Sequence, residues 1–137
     1  MNRTASAHWE GDLKTGKGNI SSQSTTLNKT QFSFKTRFED GVGTNPEELL
    51  AAAHAGCFTM AVGAALGMAG TPATSLDTTA TVDLQGLDIK GVHLSITGKV
   101  ANITPEKFVE VVKGAEKGCI ISKALSIPIT SDATLLK

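Results

Sequence analysis

The stretch from Thr44 to Gly70, TNPEELLAAAHAGCFTMAVGAALGMAG, constrains this chain more than any other. Asn45 can cap a helix, Pro46 suits its first position, and Glu47 and Glu48 meet the positive end of the dipole. From there to Gly70 no charged side chain appears, and the composition is Ala, Gly, Leu and Met nearly all the way round. That is the pattern of a helix buried on every side. The run is long enough to cross a bilayer, which takes roughly 20 apolar residues. Ala and Gly supply little insertion energy, however, His54 sits mid-run, and no Lys or Arg closely flanks either end. The reading is a soluble core helix, with no membrane partner.

The segments on either side alternate with period two and need such a helix to cover them. Thr4 to Trp9 alternates weakly, and Gly16 to Ser24 is polar and Ser-rich, which predicts an exposed edge strand. In Gln31 to Phe38, Phe32, Phe34, Thr36 and Phe38 share one side while Ser33, Lys35 and Arg37 share the other. The spacing predicts a three-stranded meander with Arg37 solvated opposite the phenylalanines. After Pro72, Leu76, Thr78, Ala80, Val82 and Leu84 alternate with polar residues, as do Val92, Leu94, Ile96 and Val100. Gly86 and Gly91 bracket the connection, so a long hairpin with one buried face follows, and His93 falls on its polar face. Thr104 and Pro105 start a second helix with Phe108, Val111, Val112 and Ala115 on one side, and Gly118 stops it. CIISKAL predicts a short helical turn opening at Cys119, and Ile127 to Leu136 a closing strand. Strands, helix, strands, helices and strand make an α+β chain, read as one domain over residues 1–137. Such elements are too few to surround a helix with no polar face. A second copy of that helix would complete the cover, so the expectation is a C2 homodimer.

Charge excludes one broad class. Thirteen basic and thirteen acidic side chains leave no net charge, so no large nucleic-acid footprint is expected. Met1 to Gly11 is polar and no apolar leader follows, which points to a cytoplasmic, reducing compartment. Two cysteines, Cys57 and Cys119, are then a structural disulfide, inert core thiols or a redox pair. Two cysteines far apart without C-x-x-C spacing make a poor zinc set, so no metal is expected. Thiol chemistry needs a thiolate, and a free cysteine titrates near 8.5. Cys57 lies too deep in its helix for help from the N-terminus, and burial raises its pKa. A reactive Cys57 therefore needs a cation, with Arg37 and His54 as candidates, although a satisfied core histidine is the plainer reading of His54. Cys119 opens a helical turn between Lys117 and Lys123.

TRFEDGVGTNPEELLAAAHAGCF, followed much later by GCIISKAL, resembles the OsmC/Ohr family of thiol peroxidases. TRFE before the helix and AAHAGCF within it favour the OsmC branch, and the match runs from Gly16 to the final strand. The resemblance implies an intertwined homodimer, with strands wrapped around central buried helices and two active sites at the interface. It implies organic hydroperoxides as substrates, no bound cofactor, and a role in peroxide or osmotic stress defence. Cys57 matches the peroxidatic thiol and Cys119 the resolving thiol. Arg37 matches the activating arginine and Glu47 its partner. The family commonly has Cys-Pro at the second cysteine, where this chain has Cys119-Ile120. In the cycle so implied, Cys57 becomes a sulfenic acid, Cys119 closes a disulfide on it, and an external dithiol protein, of lipoyl type by resemblance, reduces that bond. Phe58, Met60 and Ile121 would wall in the organic substituent. A redox-responsive binding protein without efficient turnover, and a structural dimer with inert thiols, are the competing readings. One geometric expectation concerns the site. Ten residues of continuous helix set Glu47 and Cys57 about 15 Å apart on different faces. Arg37 and Glu47 are therefore expected to serve the other subunit's Cys57.

Overall fold

A computed structural model describes residues Met1–Lys137. The chain forms two compact units, Met1–Leu49 and Leu50–Lys137. The first holds strands β1 (Ala5–Glu10), β2 (Lys17–Ser22) and β3 (Thr30–Phe32), followed by the short helix α1 (Phe34–Phe38). Helix α2 (Pro46–Met68) begins at the end of the first unit and runs on into the second. The second unit then adds β4 (Ala73–Gln85), β5 (Asp88–Val100), α3 (Pro105–Gly118), α4 (Ile120–Ala124) and β6 (Ile129–Leu136).

In the first unit the three strands form an antiparallel sheet in the order β1-β2-β3. The meander is as expected, but the Ser-rich strand lies in its middle rather than at an edge. Trp9 of β1 and Phe32 of β3 face each other across β2 with ring centroids 5.4 Å apart. The larger departure follows directly. The period-two run Gln31–Phe38 is not one strand, because it turns helical at Ser33. Ser33 accepts a hydrogen bond from the Thr36 amide, and Thr36 Oγ1 accepts from the Ser33 amide at 2.8 Å. This reciprocal capping box satisfies two backbone donors at once. Phe34 and Phe38 then meet as an i, i+4 pair, with centroids 4.9 Å apart.

In the second unit the long hairpin forms as the alternation predicts, with inward and outward residues alternating along β4 from Ser75 to Gln85. β6 returns parallel to β5, from Val92 beside Ile129 to Lys99 beside Leu136. Such a return needs a long crossover, which α3 and α4 supply. Thr104 accepts from the Lys107 amide and Pro105 occupies the first turn of α3, as its start signals require. Val92, Leu94 and Ile96 of β5 meet Phe108, Val112 and Ala115 of α3 in one core, together with Phe58, Val62 and Leu66 of α2. On the outer face His93 is exposed but not merely solvated. Its ring contacts Thr130 Oγ1 at 2.6 Å and Asp132 Oδ2 at 2.7 Å.

Only one stripe of α2 is buried within the chain. His54, Phe58, Val62 and Leu66, four residues apart, are fully covered. Ala52, Ala53, Gly56, Met60, Ala64 and Met68 face outward, with Met60 77% and Met68 89% exposed. The expectation of a helix buried on every side is therefore corrected for a single chain. By length and composition α2 could cross a membrane, with a mean hydropathy of 1.7 over 18 residues of which 22% are buried. Its covered stripe instead shares the core with β5 and α3.

One close approach fixes how α3 sits on the sheet. A Cβ at Gly98 would lie 2.6 Å from Phe108 Cζ and 3.1 Å from Leu76 Cδ2. Phe108 is fully buried and cannot swing clear. Gly98→Ala should therefore overpack the core and lower unfolding stability by about 1–3 kcal/mol, read as a reduced midpoint in urea denaturation.

Candidate active site

The candidate residues fall into two groups of side chains, one in each unit. In the first, α1 positions Arg37 and the start of α2 positions Glu47. Asn45 ties the two helices together. Its Nδ2 donates to the Thr36 carbonyl at 2.8 Å, and its Oδ1 accepts from the Glu48 amide at 2.8 Å, capping α2. Gly43 permits the turn between them, with φ at +114° and a backbone so close to the Gln31 carbonyl that a Cβ would collide with it. Arg37 then reaches Glu47, with Nε donating to Oε1 at 2.8 Å and Nη2 to the same oxygen at 2.7 Å. The carboxylate is nearly buried, whereas 43% of the arginine side chain remains exposed. Glu47 Oε2 is buried without a partner. The expectation of a solvated Arg37 is thus corrected. A helix in place of a strand turns it toward a carboxylate that holds the guanidinium while leaving N–H groups free to bind an anion.

Beside Arg37 lies an apolar cavity of about 310 Å³. Trp9, Leu13, Phe32, Phe34 and Phe38 line it, with Pro46 and Arg37 at its margin. Phe38 also packs under the guanidinium, 5.6 Å from ring centroid to Cζ. The substrate wall expected from Phe58 does not exist, because Phe58 is fully buried in the core. Met60 is instead among the exposed residues of α2, and Ile121 packs against the core. The aromatic cavity escaped sequence reading because its walls come from two strands, the loop after the first of them, and a helix mistaken for a strand.

In the second unit α2 supplies Cys57 and the start of α4 supplies Cys119. Sixty-two residues apart in sequence, their sulfurs lie 2.9 Å apart, and both thiols are free. At that separation the first ionisation belongs to the pair. Burial pushes the Cys57 thiol up, and the neighbouring Cys119 sulfur adds to the rise. Burial also acts against ionisation of Cys119, but hydrogen bonds from Cys57, from the amide and hydroxyl of Ser122 and from the Ile121 amide outweigh it and pull its pKa down. The two thiols are thus pulled in opposite directions within the second unit. His54, the other candidate activator, is fully buried, and burial lowers its pKa toward the neutral form. Its Nε2 lies 2.7 Å from Ser122 Oγ. Burial thus works against a positive charge there, but the ring is only half satisfied, because Nδ1 is buried without a partner. Sequence reasoning missed Ser122, whose partner is 68 residues away. No three His, Cys, Asp or Glu side chains converge on a point where they could hold a metal ion.

Comparison with known proteins agrees along most of the chain. The family described as "OsmC-like protein" matches residues 38–132. The Peroxiredoxin OsmC of Escherichia coli K12 is 44% identical over 139 residues, covering 98% of this chain and 97% of that protein. Among solved structures, the organic hydroperoxide resistance protein OhrB of Bacillus subtilis superposes with a TM-score of 0.68 at 24% identity, covering 97% of this chain and 98% of its own. An OsmC-like protein of unknown function from Vibrio cholerae gives 0.76 at 12% identity, with 97% and 99% covered. These two establish a shared fold.

The separation of the sulfurs leads to a direct expectation. Treating the reduced protein with diamide should link Cys57 to Cys119 within one chain in high yield. Non-reducing peptide mass spectrometry should find that link and little disulfide between chains.

Proposed function

The chain belongs to the OsmC-like family, and from that premise we infer that it is a thiol-dependent peroxidase reducing organic hydroperoxides to alcohols. The observation that carries this reading is the approach of two free thiols to 2.9 Å across 62 residues of sequence. We assign Cys57 as the peroxidatic thiol. Its thiolate attacks the distal peroxide oxygen, so that an S–O bond forms, the O–O bond breaks and the leaving alkoxide takes a proton to become the alcohol. Cys57 is left as a sulfenic acid. The Cys119 thiolate then attacks the Cys57 sulfur. An S–S bond forms, the S–O bond breaks, and hydroxide leaves as water after protonation. An external dithiol restores both thiols by exchange, and a lipoyl-type dithiol is the reductant proposed. No bound cofactor or metal enters these steps.

Cys57 needs a cation that its own surroundings do not provide, since burial drives its pKa upward. Arg37, fixed by Glu47 and still holding unused N–H donors, is assigned that role. The guanidinium would also steady charge developing on the peroxide oxygens, and the aromatic cavity beside it suits an apolar organic substituent.

The assembly proposed is a homodimer. The outward side of α2 presents small apolar side chains, Met60 and Met68, a surface that a second α2 can approach closely. The helix carrying both Glu47 and Cys57 is unbroken from Pro46 to Met68, which supports action of Arg37 and Glu47 on the other subunit's Cys57. A cytoplasmic role in stress defence fits this activity.

Cys57→Ser should abolish reaction with cumene hydroperoxide. Cys119→Ser should consume one equivalent and stall as sulfenic or over-oxidised Cys57, seen by dimedone labelling and intact mass. Equal inertness of the two variants would reverse or remove the assigned roles.

Sedimentation velocity at micromolar concentration should show a dimer. Exchange between inactive Arg37→Ala subunits and inactive Cys57→Ser subunits should restore one working site per heterodimer. If exchange is verified and activity stays absent, the arginine acts within its own chain.

A further inference from the structure

The outer face of the second sheet carries a set of side chains that the peroxide cycle leaves unused. Successive residues of β5 alternate between its two faces. Val92, Leu94 and Ile96 enter the core, so His93 and Ser95 point away from it. The parallel register puts Thr130 beside His93 and Asp132 beside Ser95. The His93 ring reaches both residues of β6, with Nδ1 2.6 Å from Thr130 Oγ1 and Nε2 2.7 Å from Asp132 Oδ2. Ser95 Oγ donates to the other carboxylate oxygen, Oδ1, at 2.8 Å. The hydrogen bond from His93 and then that from Ser95 hold the Asp132 carboxyl below the usual carboxylate range. An ionised carboxylate only accepts, so the single N–H of a neutral imidazole belongs on Nε2. Nδ1 is then a bare lone pair, and the Thr130 hydroxyl donates to it.

A hydroxyl bonded to an imidazole whose other nitrogen is fixed by a carboxylate is a nucleophile with its base and the group that orients the base. We propose that Thr130 and His93 form a second catalytic site, independent of the cysteines, that hydrolyses small uncharged carboxylic esters, with Asp132 as its positioning residue. Thr130 Oγ attacks the ester carbonyl while His93 Nδ1 takes the hydroxyl proton. A C–O bond to Thr130 forms, the bond to the leaving oxygen breaks, and His93 returns the proton to that oxygen as the alcohol departs. Water, deprotonated in turn by Nδ1, then attacks the acyl group on Thr130. The carboxylic acid leaves, and the proton held by His93 restores the Thr130 hydroxyl.

The surface beside these residues has room for such a substrate. A cavity of about 260 Å³ opens against Thr130 and His93, walled by Thr81, Asp83, Lys90 and Pro128. Pockets for drug-sized ligands begin at roughly 300 Å³, so this one suits a small acyl group. The His93 and Asp132 side chains are 46% and 55% exposed, which lets an ester reach them from solution. Two backbone features shape the walls. The pairing of β4 with β5 passes from Asp83 opposite Gly91 to Leu84 opposite Ile89, which makes Lys90 an extra, bulged residue. Gly91 packs so closely that a Cβ there would stand 2.9 Å from the Pro128 carbonyl oxygen. Lys90 is only loosely paired, 3.6 Å from Asp88, and its ammonium is available to the oxyanion of the tetrahedral intermediate. Asp83 on the same wall opposes anionic substrates, and this selects the uncharged class.

The test uses the full chain carrying both Cys57→Ser and Cys119→Ser, because thiolates themselves attack activated esters. Its outcome is therefore independent of the peroxidase reading. The probe is p-nitrophenyl acetate, followed by release of p-nitrophenolate at neutral pH. Thr130→Val, which removes the hydroxyl but keeps the shape and the strand preference, should lower kcat/KM by about tenfold or more, and His93→Gln should do the same. The exposed His8 stays in every variant and supplies the background of an unassisted imidazole. Thr130→Ser should retain the activity. Asp132→Asn should lower kcat with KM little changed, because Asp132 touches His93 and not the ester. After an acid quench, peptide mass spectrometry should place one acetyl group on Thr130. Circular dichroism checks that each variant is folded, and the acetyl position decides the matter without any substitution at the site. Unchanged turnover in folded Thr130→Val, the result expected if His93 attacks directly or if the four side chains only fasten β6 to β5, would overturn the proposal. Acetylation confined to lysines would overturn it as well.

Discussion

Everything in the second unit depends on seating one stripe of α2. His54, Phe58, Val62 and Leu66 recur every fourth residue and bury completely. Because a helix advances about 100° per residue, fixing that stripe also fixes Cys57, one step before Phe58. The same rotation sets His54 one turn earlier. The crossover from β5 through α3 and α4 then delivers Cys119 and Ser122 to those two positions. One packing constraint thus aligns two polar contacts, sulfur with sulfur and imidazole with hydroxyl. A rotation of α2 large enough to break one would break both, and would uncover Phe58 as well.

The sequence was most legible where a local rule agreed with the final packing. The hairpin of β4 and β5, the capped start of α3 and the turn beginning at Cys119 all follow from period, caps and glycine stops. Failure came where two periods coincide over a short window. Phe34 and Phe38 satisfy both the two-residue period of a strand and the i, i+4 spacing of a helix. The deciding residue, Ser33, caps through a Thr at the third position, whereas the familiar capping box has Glu or Gln there. That error hid Arg37, which a strand would turn to solvent and a helix turns to Glu47.

Other features were invisible for a different reason. The parallel pairing of β5 with β6 and the contact of His54 with Ser122 join residues far apart in the chain, and no local pattern encodes them. Cys57 and Cys119 could be singled out by residue type, but their approach could be expected only through resemblance to a family. The exposed face of α2 lies between these cases. Its lack of polar residues was plain from the sequence, and the chain covers only the opposite face.

The two thiols face opposite electrostatic problems, and the fold treats them separately. Cys119 opens a helical turn, where burial opposes its ionisation but neighbouring groups pull its pKa down. Cys57 lies within a long helix whose amides are already bonded to its own carbonyls, and burial opposes its ionisation. A fixed positive charge brought from another element would oppose that rise, as the Ile120 and Ile121 amides already do in part. Glu47 binds Arg37 through a single oxygen, which orients the guanidinium without occupying all of its donors, and in the reading proposed here this is that charge. In the dimer proposed here, covering the apolar face of α2 and acidifying Cys57 become one event.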